Sequence, residues 1–270
     1  MNKKYADKNR FSSKEKNVAT GRFIKADQSK EELSPGTVLN KFLSNAGVAS
    51  RRNCATLIQQ GLVMVNGKAI LTPAYRVQNN DEVVFRGKKI SGGKKVYILL
   101  NKPKDFITTT HDEHERHTVM ELIKNATTER VFPVGRLDRN TTGLLLFTND
   151  GELAQKLTHP SKKVKKVYEV MVNKEVAEQD LEKIAKGIEL EDGIAAVDDI
   201  AFSNPADRSI IGIELHIGKN RIVRRIFEHL GYDVRRLDRV LYAGLTKKDL
   251  PRGRWRHLSE KEVRQLKVLS

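Results

Sequence analysis

Asp138 stands in a frame that could aim a carboxylate at a substrate. The surrounding run is Gly135-Arg136-Leu137-Asp138-Arg139-Asn140-Thr141-Thr142-Gly143-Leu144-Leu145-Leu146, with a basic residue before the acid and an apolar run after it. Residues 131–134 and 143–147 read as apolar strands, so Asp138 falls in the short polar connection between them, where backbone support can point a side chain into a cleft. Thr141 and Thr142 can hydrogen-bond nearby backbone, and Gly143 permits a close or positive-φ approach. A carboxylate held this way, beside a cation that keeps it ionised, can serve as nucleophile or base. It can equally close a turn or cap a backbone N–H, and the segment by itself leaves both readings open.

Other chemistry-bearing groups are less well placed. His111, His114 and His117 invite a metal, but on a helix the first and third would lie some 120° apart, and no cysteine or carboxylate spacing joins them. A solvated loop is expected there and no metal site. Glu191-Asp192-Gly193 reads as a hairpin turn, and Asp198-Asp199 adjoins a strand, so neither supplies paired carboxylates for acid-base work. Cys54 is the single cysteine, which rules out an intramolecular disulfide and a multi-cysteine zinc site.

The elements that must position Asp138 can be read along the chain. Residues 1–35 form a lysine-rich polar arm with almost no periodicity, expected to be disordered. Residues 37–45 have helical spacing and stop at Gly47, and Ser50 can cap a second helix to about Gln60. Strand signals follow at 62–65, at an Asn66-Gly67 turn and at 77–85. Residues 88–95, with Ser91-Gly92-Gly93 among lysines, read as a flexible link between a small domain (36–87) and a larger one (96–270). In the larger domain a strand over 96–100 ends at Asn101-Lys102-Pro103, a helix covers 151–158, and residues 164–172 alternate as a strand carrying Tyr168. Residues 210–217 form another strand. An amphipathic helix over 221–231 keeps its arginines off the core face.

Two stretches resemble known families. The run around Asp138 fits G-R-L-D-x-x-T-x-G-L-L, which resembles the signature of pseudouridine synthases of the RsuA/RluB type, enzymes that isomerise uridine in bacterial ribosomal RNA. The resemblance implies that Asp138 is the catalytic residue, with Arg136 and Leu137 beside it in the substrate pocket. It places Tyr168, within Lys166-x-Tyr168-x-Val170, against the target uracil. The run from Gly218 to Arg225 and on through Val234, Leu237 and Arg239 resembles the family's third motif, in which a basic residue pairs with the aspartate. Arg224 aligns with that residue and Leu237 with an apolar pocket residue, leaving Arg221 and Arg225 as phosphate ligands. A lysine-proline pair follows the first strand in the family, matching Lys102 and Pro103, an RNA-binding expectation for Lys102. The family's glycine two residues past the proline is replaced by Asp105. Leu39, Phe42, Leu43, Gly47, Ser50, Arg51, Arg52, Ile58, Gly61, Val63 and Asn66-Gly67 resemble the small RNA-binding domain shared by a ribosomal small-subunit protein and tyrosyl-tRNA synthetases. That implies RNA contacts from Arg51 and Arg52, with Lys41 as a lesser contributor. The implied fold is α+β: a small α/β RNA-binding domain, then a catalytic domain with a mixed, largely antiparallel β-sheet flanked by helices.

Composition points the same way. The 270 residues are enough for two modest domains, and a formal net charge of +16 with 39% hydrophobic content implies a folded chain with a polyanionic partner. No run of about 18 apolar residues is present, so nucleic acid is favoured over a membrane. The start lacks an apolar signal-peptide core, and a cytoplasmic location is the default. The expected activity is site-specific isomerisation of uridine in ribosomal RNA, the large subunit favoured, by a monomer without cofactor, acting on RNA or an assembly intermediate. Two other classes share parts of the pattern: a non-catalytic ribosome-assembly factor shares the charge, and a nucleoside or glycoside hydrolase shares the carboxylate. The latter usually needs two cooperating carboxylates.

Overall fold

The computed structural model describes residues 36–91 and 94–269. The basic arm expected over 1–35 lies outside them. The chain divides into two compact units after Ser91.

In the first unit, β1 (Thr37–Val38) leads into α1 (Leu39–Asn45), followed by α2 (Arg51–Gln59), β2 (Val63–Val65), β3 (Lys68–Ala69), β4 (Arg76–Val77), β5 (Val83–Phe85) and β6 (Lys88–Ile90). Ser50 caps α2 by accepting from the Asn53 N–H, as its position suggested. Leu39, Leu43, Cys54, Ile58 and Val63 form a small core between the helices and a sheet ordered β3-β2-β5-β6. Two expectations shift. Residues 77–85 make two strands separated by a turn in which Asp81 accepts from the Gln78 N–H. Lys88–Ile90 is no linker but the last strand of this sheet, antiparallel to β5.

The second unit contains β7 (Tyr97–Lys102), α3 (Val119–Leu122), β8 (Phe132–Pro133), β9 (Thr142–Thr148), α4 (Gly151–Thr158), β10 (Lys166–Val172), α5 (Glu178–Lys186), β11 (Ile188–Leu190), β12 (Gly193–Ala195), β13 (Asp199–Phe202), β14 (Ile210–Leu215), α6 (Ile222–His229), β15 (Val234–Tyr242), β16 (Leu245–Thr246), β17 (Trp255–His257) and α7 (Glu260–Leu269). Its main sheet runs β13-β14-β10-β15-β9-β7-β17. Every residue of β9 is buried, because helices cover both of its faces. Leu145 and Phe147 pack with Ile226 and Phe227 of α6 on one side, while Leu144 and Leu146 pack with Leu153 and Leu157 of α4 on the other. On β10 only the alternate residues Tyr168, Val170 and Val172 are buried.

The one parallel contact among the described strands of this sheet joins β9 to β15, pairing Thr142 with Asp238 and Gly143 with Arg239. Gly143 is what lets the backbones meet there. Its φ is +105°, and a Cβ at that position would lie 2.3 Å from the Arg239 carbonyl oxygen and 2.5 Å from its nitrogen. The Asp138 connection enters β9 at this crossing.

Candidate functional site

A cleft of about 330 Å³ opens at the β9–β15 crossing, with Arg136, Leu137, Asp138, Tyr168, Arg221 and Leu237 in its walls. That volume is at the small end of ligand pockets. Asp138 is partly buried, and its carboxylate has no hydrogen bond or ion pair among the described residues. Its backbone is held on both sides. Thr108 Oγ1 accepts from the Leu137 N–H at 3.2 Å and donates to the Leu137 carbonyl at 2.7 Å. The Asp138 carbonyl accepts from the Thr141 N–H at 3.1 Å.

Lys102 completes the support, and here the sequence expectation is corrected. Its side chain is wholly buried, and Nζ donates to the carbonyls of Pro103, Asp138, Arg139 and Thr141 at 2.9–3.1 Å. A cation surrounded by the backbone of the Asp138 loop cannot meet RNA; it pins the loop. Burial pushes its ammonium down to about 8, against the pull of Asp138 and Asp105. Asp105, standing where the family has glycine, nevertheless adopts a left-handed φ of +70°. Its N–H donates to the Arg139 carbonyl at 3.0 Å and its carboxylate pairs with Arg139 Nε at 3.3 Å, so the loop keeps a glycine-like turn.

Behind the crossing lies a buried carboxylate that nothing in the sequence singled out. Asp238 takes a bidentate bond from Arg252, 2.9 Å on each arm, and further bonds from Lys247 at 2.5 Å and Thr142 Oγ1 at 2.9 Å. Burial raises its carboxyl, but Arg252 and Lys247 outweigh that and hold it below the usual carboxylate range. This ties β15 to the first residue of β9.

Tyr168 is buried on β10 with its ring at the cleft, directly across from Arg239 in the β10–β15 register. Leu237 is buried beside it, and Arg136 and Arg221 are exposed at the mouth. Arg225 forms a bidentate pair with Asp192, at 2.5 and 3.1 Å, so an RNA phosphate would have to displace that carboxylate.

Arg224 departs from the expected picture. The first turn of α6 is covered on the arginine side too, so Arg224 is buried, with Nη1 donating to the Val234 carbonyl at 2.9 Å. Its Nε is buried without a partner, and no ion pair to Asp138 is closed. Burial and the Arg221 charge lower its pKa, and Asp138 opposes them. The geometry leaves Arg224 no direct bond to the Asp138 carboxylate, only an interaction through space. Replacing Arg224 by alanine should lower turnover about 10²-fold, the scale of one lost preorganised donor, with RNA affinity within twofold; Arg224→Lys should retain more. Single-turnover rates and binding isotherms measured side by side check this, and a loss confined to affinity would make Arg224 a phosphate ligand.

The family profile of RNA pseudouridylate synthase matches residues 96–229, and that of the S4 domain matches residues 39–83. A Bacillus subtilis (strain 168) protein named ribosomal large subunit pseudouridine synthase B is 39% identical over 235 residues, covering 86% of this chain and 96% of its own. The chain belongs to the RNA pseudouridine synthases. An uncharacterized RNA pseudouridine synthase of Aquifex aeolicus (strain VF5) is 42% identical over 231 residues, covering 84% of this chain and 92% of its own. A solved pseudouridylate synthase superposes with a TM-score of 0.60 at 25% identity, covering 84% of this chain and 98% of its own. The small first unit is thus an S4 domain and the sheet with the cleft is the synthase unit.

Proposed function

We propose that this pseudouridine synthase acts on ribosomal RNA of the large subunit and that Asp138 is the carboxylate that does the chemistry. The observation that carries the reading is an unpaired carboxylate, on a loop fixed by buried hydrogen bonds, sharing a small cleft with an aromatic ring. The name of the Bacillus subtilis relative supports the source of the RNA.

Isomerisation breaks the bond from ribose C1′ to uracil N1 and forms one from C1′ to C5. The C5 hydrogen leaves as a proton and N1 gains one, so the reaction balances without co-substrate, metal or cofactor. Asp138 can add to C1′, add to C6, or accept a proton as a glycal forms. On each route the base passes through a state with negative charge on its carbonyl oxygens. The uridine must first leave its stack at a cost of a few kcal/mol, of which stacking on Tyr168 returns about 1–3 kcal/mol. Exposed Arg221 at the mouth is read as a ligand of a flanking phosphate and Arg136 as a pocket residue, and the enzyme works as a cytoplasmic monomer.

The test is carbodiimide labelling and primer extension on ribosomal RNA from a strain lacking the gene. One stop present in the wild type should vanish and return on complementation. An unchanged pattern on both subunit RNAs would leave an assembly factor that only binds.

Within the S4 domain, Arg51 and Arg52 are exposed at the start of α2 and Lys41 is partly buried on α1. Alanine at both arginines should weaken binding and flatten its salt dependence by about 0.7–0.9 in the log–log slope per lost phosphate contact. Titrations of an RNA fragment at several salt concentrations give the slope directly. No change would put the RNA face of this domain elsewhere.

A further inference from the structure

Three buried side-chain polar atoms among the described residues lack any hydrogen-bond partner: Thr141 Oγ1, Arg224 Nε and Arg239 Nη2. Such orphans are rare in folded proteins and call for a reason. Thr141 and Arg239 both line the cleft, whereas Arg224 does not. Two of the three orphans therefore belong to one place.

Arg239 is the unusual member, a guanidinium on a residue only 3% exposed. One nitrogen is used: Nε donates to the Leu144 carbonyl at 2.8 Å. The plane is braced by the Tyr242 ring, whose centroid is 4.5 Å from the guanidinium carbon. Neither terminal nitrogen has a hydrogen-bond partner among the described residues, and no carboxylate pairs with the charge. Arg239 also sits opposite Tyr168 across the β10–β15 pair. A rigid, buried cation with spare donors beside an aromatic wall is built to receive an acceptor oxygen from a ligand.

Resting on the pseudouridine reading, we propose that Arg239 is a substrate-contacting residue that donates to a carbonyl oxygen of the target uracil and stabilises the negative charge the base carries while it is detached from, or activated against, ribose. The location separates this from a phosphate contact. Tyr168 and Leu237, buried in the cleft wall, suit a planar base, whereas Arg136 and Arg221 in the same wall are exposed, and Arg221 pairs with Glu228 at 3.3 Å. The base needs such a partner on every route open to Asp138: leaving C1′ it takes the bonding pair as a uracil anion, and attacked at C6 it becomes an enolate. Both spread the charge onto the exocyclic carbonyl oxygens; it is given up when C1′ bonds to C5, and loss of the C5 proton with gain of one at N1 leaves a neutral base. A guanidinium fixed before the reaction needs no reorganisation to meet that charge.

The experiment compares wild type, Arg239→Met and Arg239→Lys for tritium release from C5-labelled ribosomal RNA in single turnover, for RNA affinity at several salt concentrations and for melting temperature. The Met variant should lose about 10²- to 10³-fold in rate with affinity within twofold and an unchanged salt slope; Lys, which restores the charge but not the fork, should recover part of it. A Met variant that releases tritium at the wild-type rate overturns the proposal. So does a loss seen as weaker binding with a shallower salt slope, which would make Arg239 a phosphate ligand. A second arm needs no variant to fold: once the modified position is mapped, transcripts carrying 2-thiouridine or 4-thiouridine there present a poorer acceptor at one carbonyl. Wild-type enzyme should be slowed by one of the two, and equal rates on both and on uridine overturn the contact. Absence of release by the wild type on any ribosomal RNA would fail the pseudouridine reading itself, a result distinct from failure of Arg239 alone.

Discussion

Asp138→Asn should leave a folded, RNA-binding protein whose isomerisation is slower by about 10⁴- to 10⁶-fold, the scale seen when the reacting group of an enzyme is removed. The amide keeps the shape of the carboxylate and loses its charge, and the loop around it is fixed by backbone groups of Leu137, Asp138 and Thr141 that the substitution does not touch. The side chain makes no bond in the fold, so stability should change by no more than about 0.5 kcal/mol, as for a surface position. A turn-closing aspartate predicts the same stability and wild-type chemistry, so the two readings separate by orders of magnitude in one assay. Tritium release from C5-labelled ribosomal RNA, run beside a melting curve and a binding isotherm, is the measurement. Release at the wild-type rate would remove Asp138 from the reaction.

The sequence made β9 and its polar approach readable because the signal is local: an apolar run, a glycine and two threonines lie within twelve residues. Tyr168 and Leu237 were assigned to the pocket by the family resemblance, and both line the cleft. What could not be read depends on contacts far apart in the chain. Gly143 looks like any permissive glycine until β15 is brought against it. Asp238 looks like an exposed strand acid until Arg252, Lys247 and Thr142 converge on it. Arg239 closes the motif that runs through Leu237, yet nothing in that spacing says that its terminal nitrogens are left without partners. Arg224 was misplaced for a related reason, since helical periodicity assigns one buried face and the start of β15 covers a second. The start of the 88–95 segment misled through composition: lysines and glycines suggest a link, but Lys88 and Lys89 are outward residues of an edge strand, and the units divide after Ser91.

Lys102 is the sharpest of these cases, and replacing it by methionine is expected to lower both stability and turnover. A lysine beside a proline after a strand reads as a phosphate ligand, because sequence gives no sign that four carbonyls of two loops will close around its Nζ. Methionine fills the volume and leaves those carbonyls without their donor. Removing a charged donor from buried partners should destabilise the protein by about 3–5 kcal/mol and free the Asp138 loop, and a misplacement of even about 1 Å lowers turnover about 10²-fold. RNA affinity and its salt slope should not move, whereas a phosphate ligand would lower both. The pH dependence gives an independent check. Lys102 titrates near 8 in the folded protein against an ordinary value of 10.5, so between these limits the unfolded chain binds more protons and stability rises with pH. Turnover should do the opposite, falling above about pH 8 as the ammonium loses a proton to solvent and its hold on the carbonyls weakens. Lys166, in the cleft wall, is also pushed down to about 8, by burial and then by the Arg239 charge, so the limb must be assigned. If it persists in Lys166→Met, it belongs to Lys102. An alkaline fall in rate that tracks a fall in melting temperature would contradict the assignment, because deprotonating this buried lysine relieves the fold while it loosens the loop.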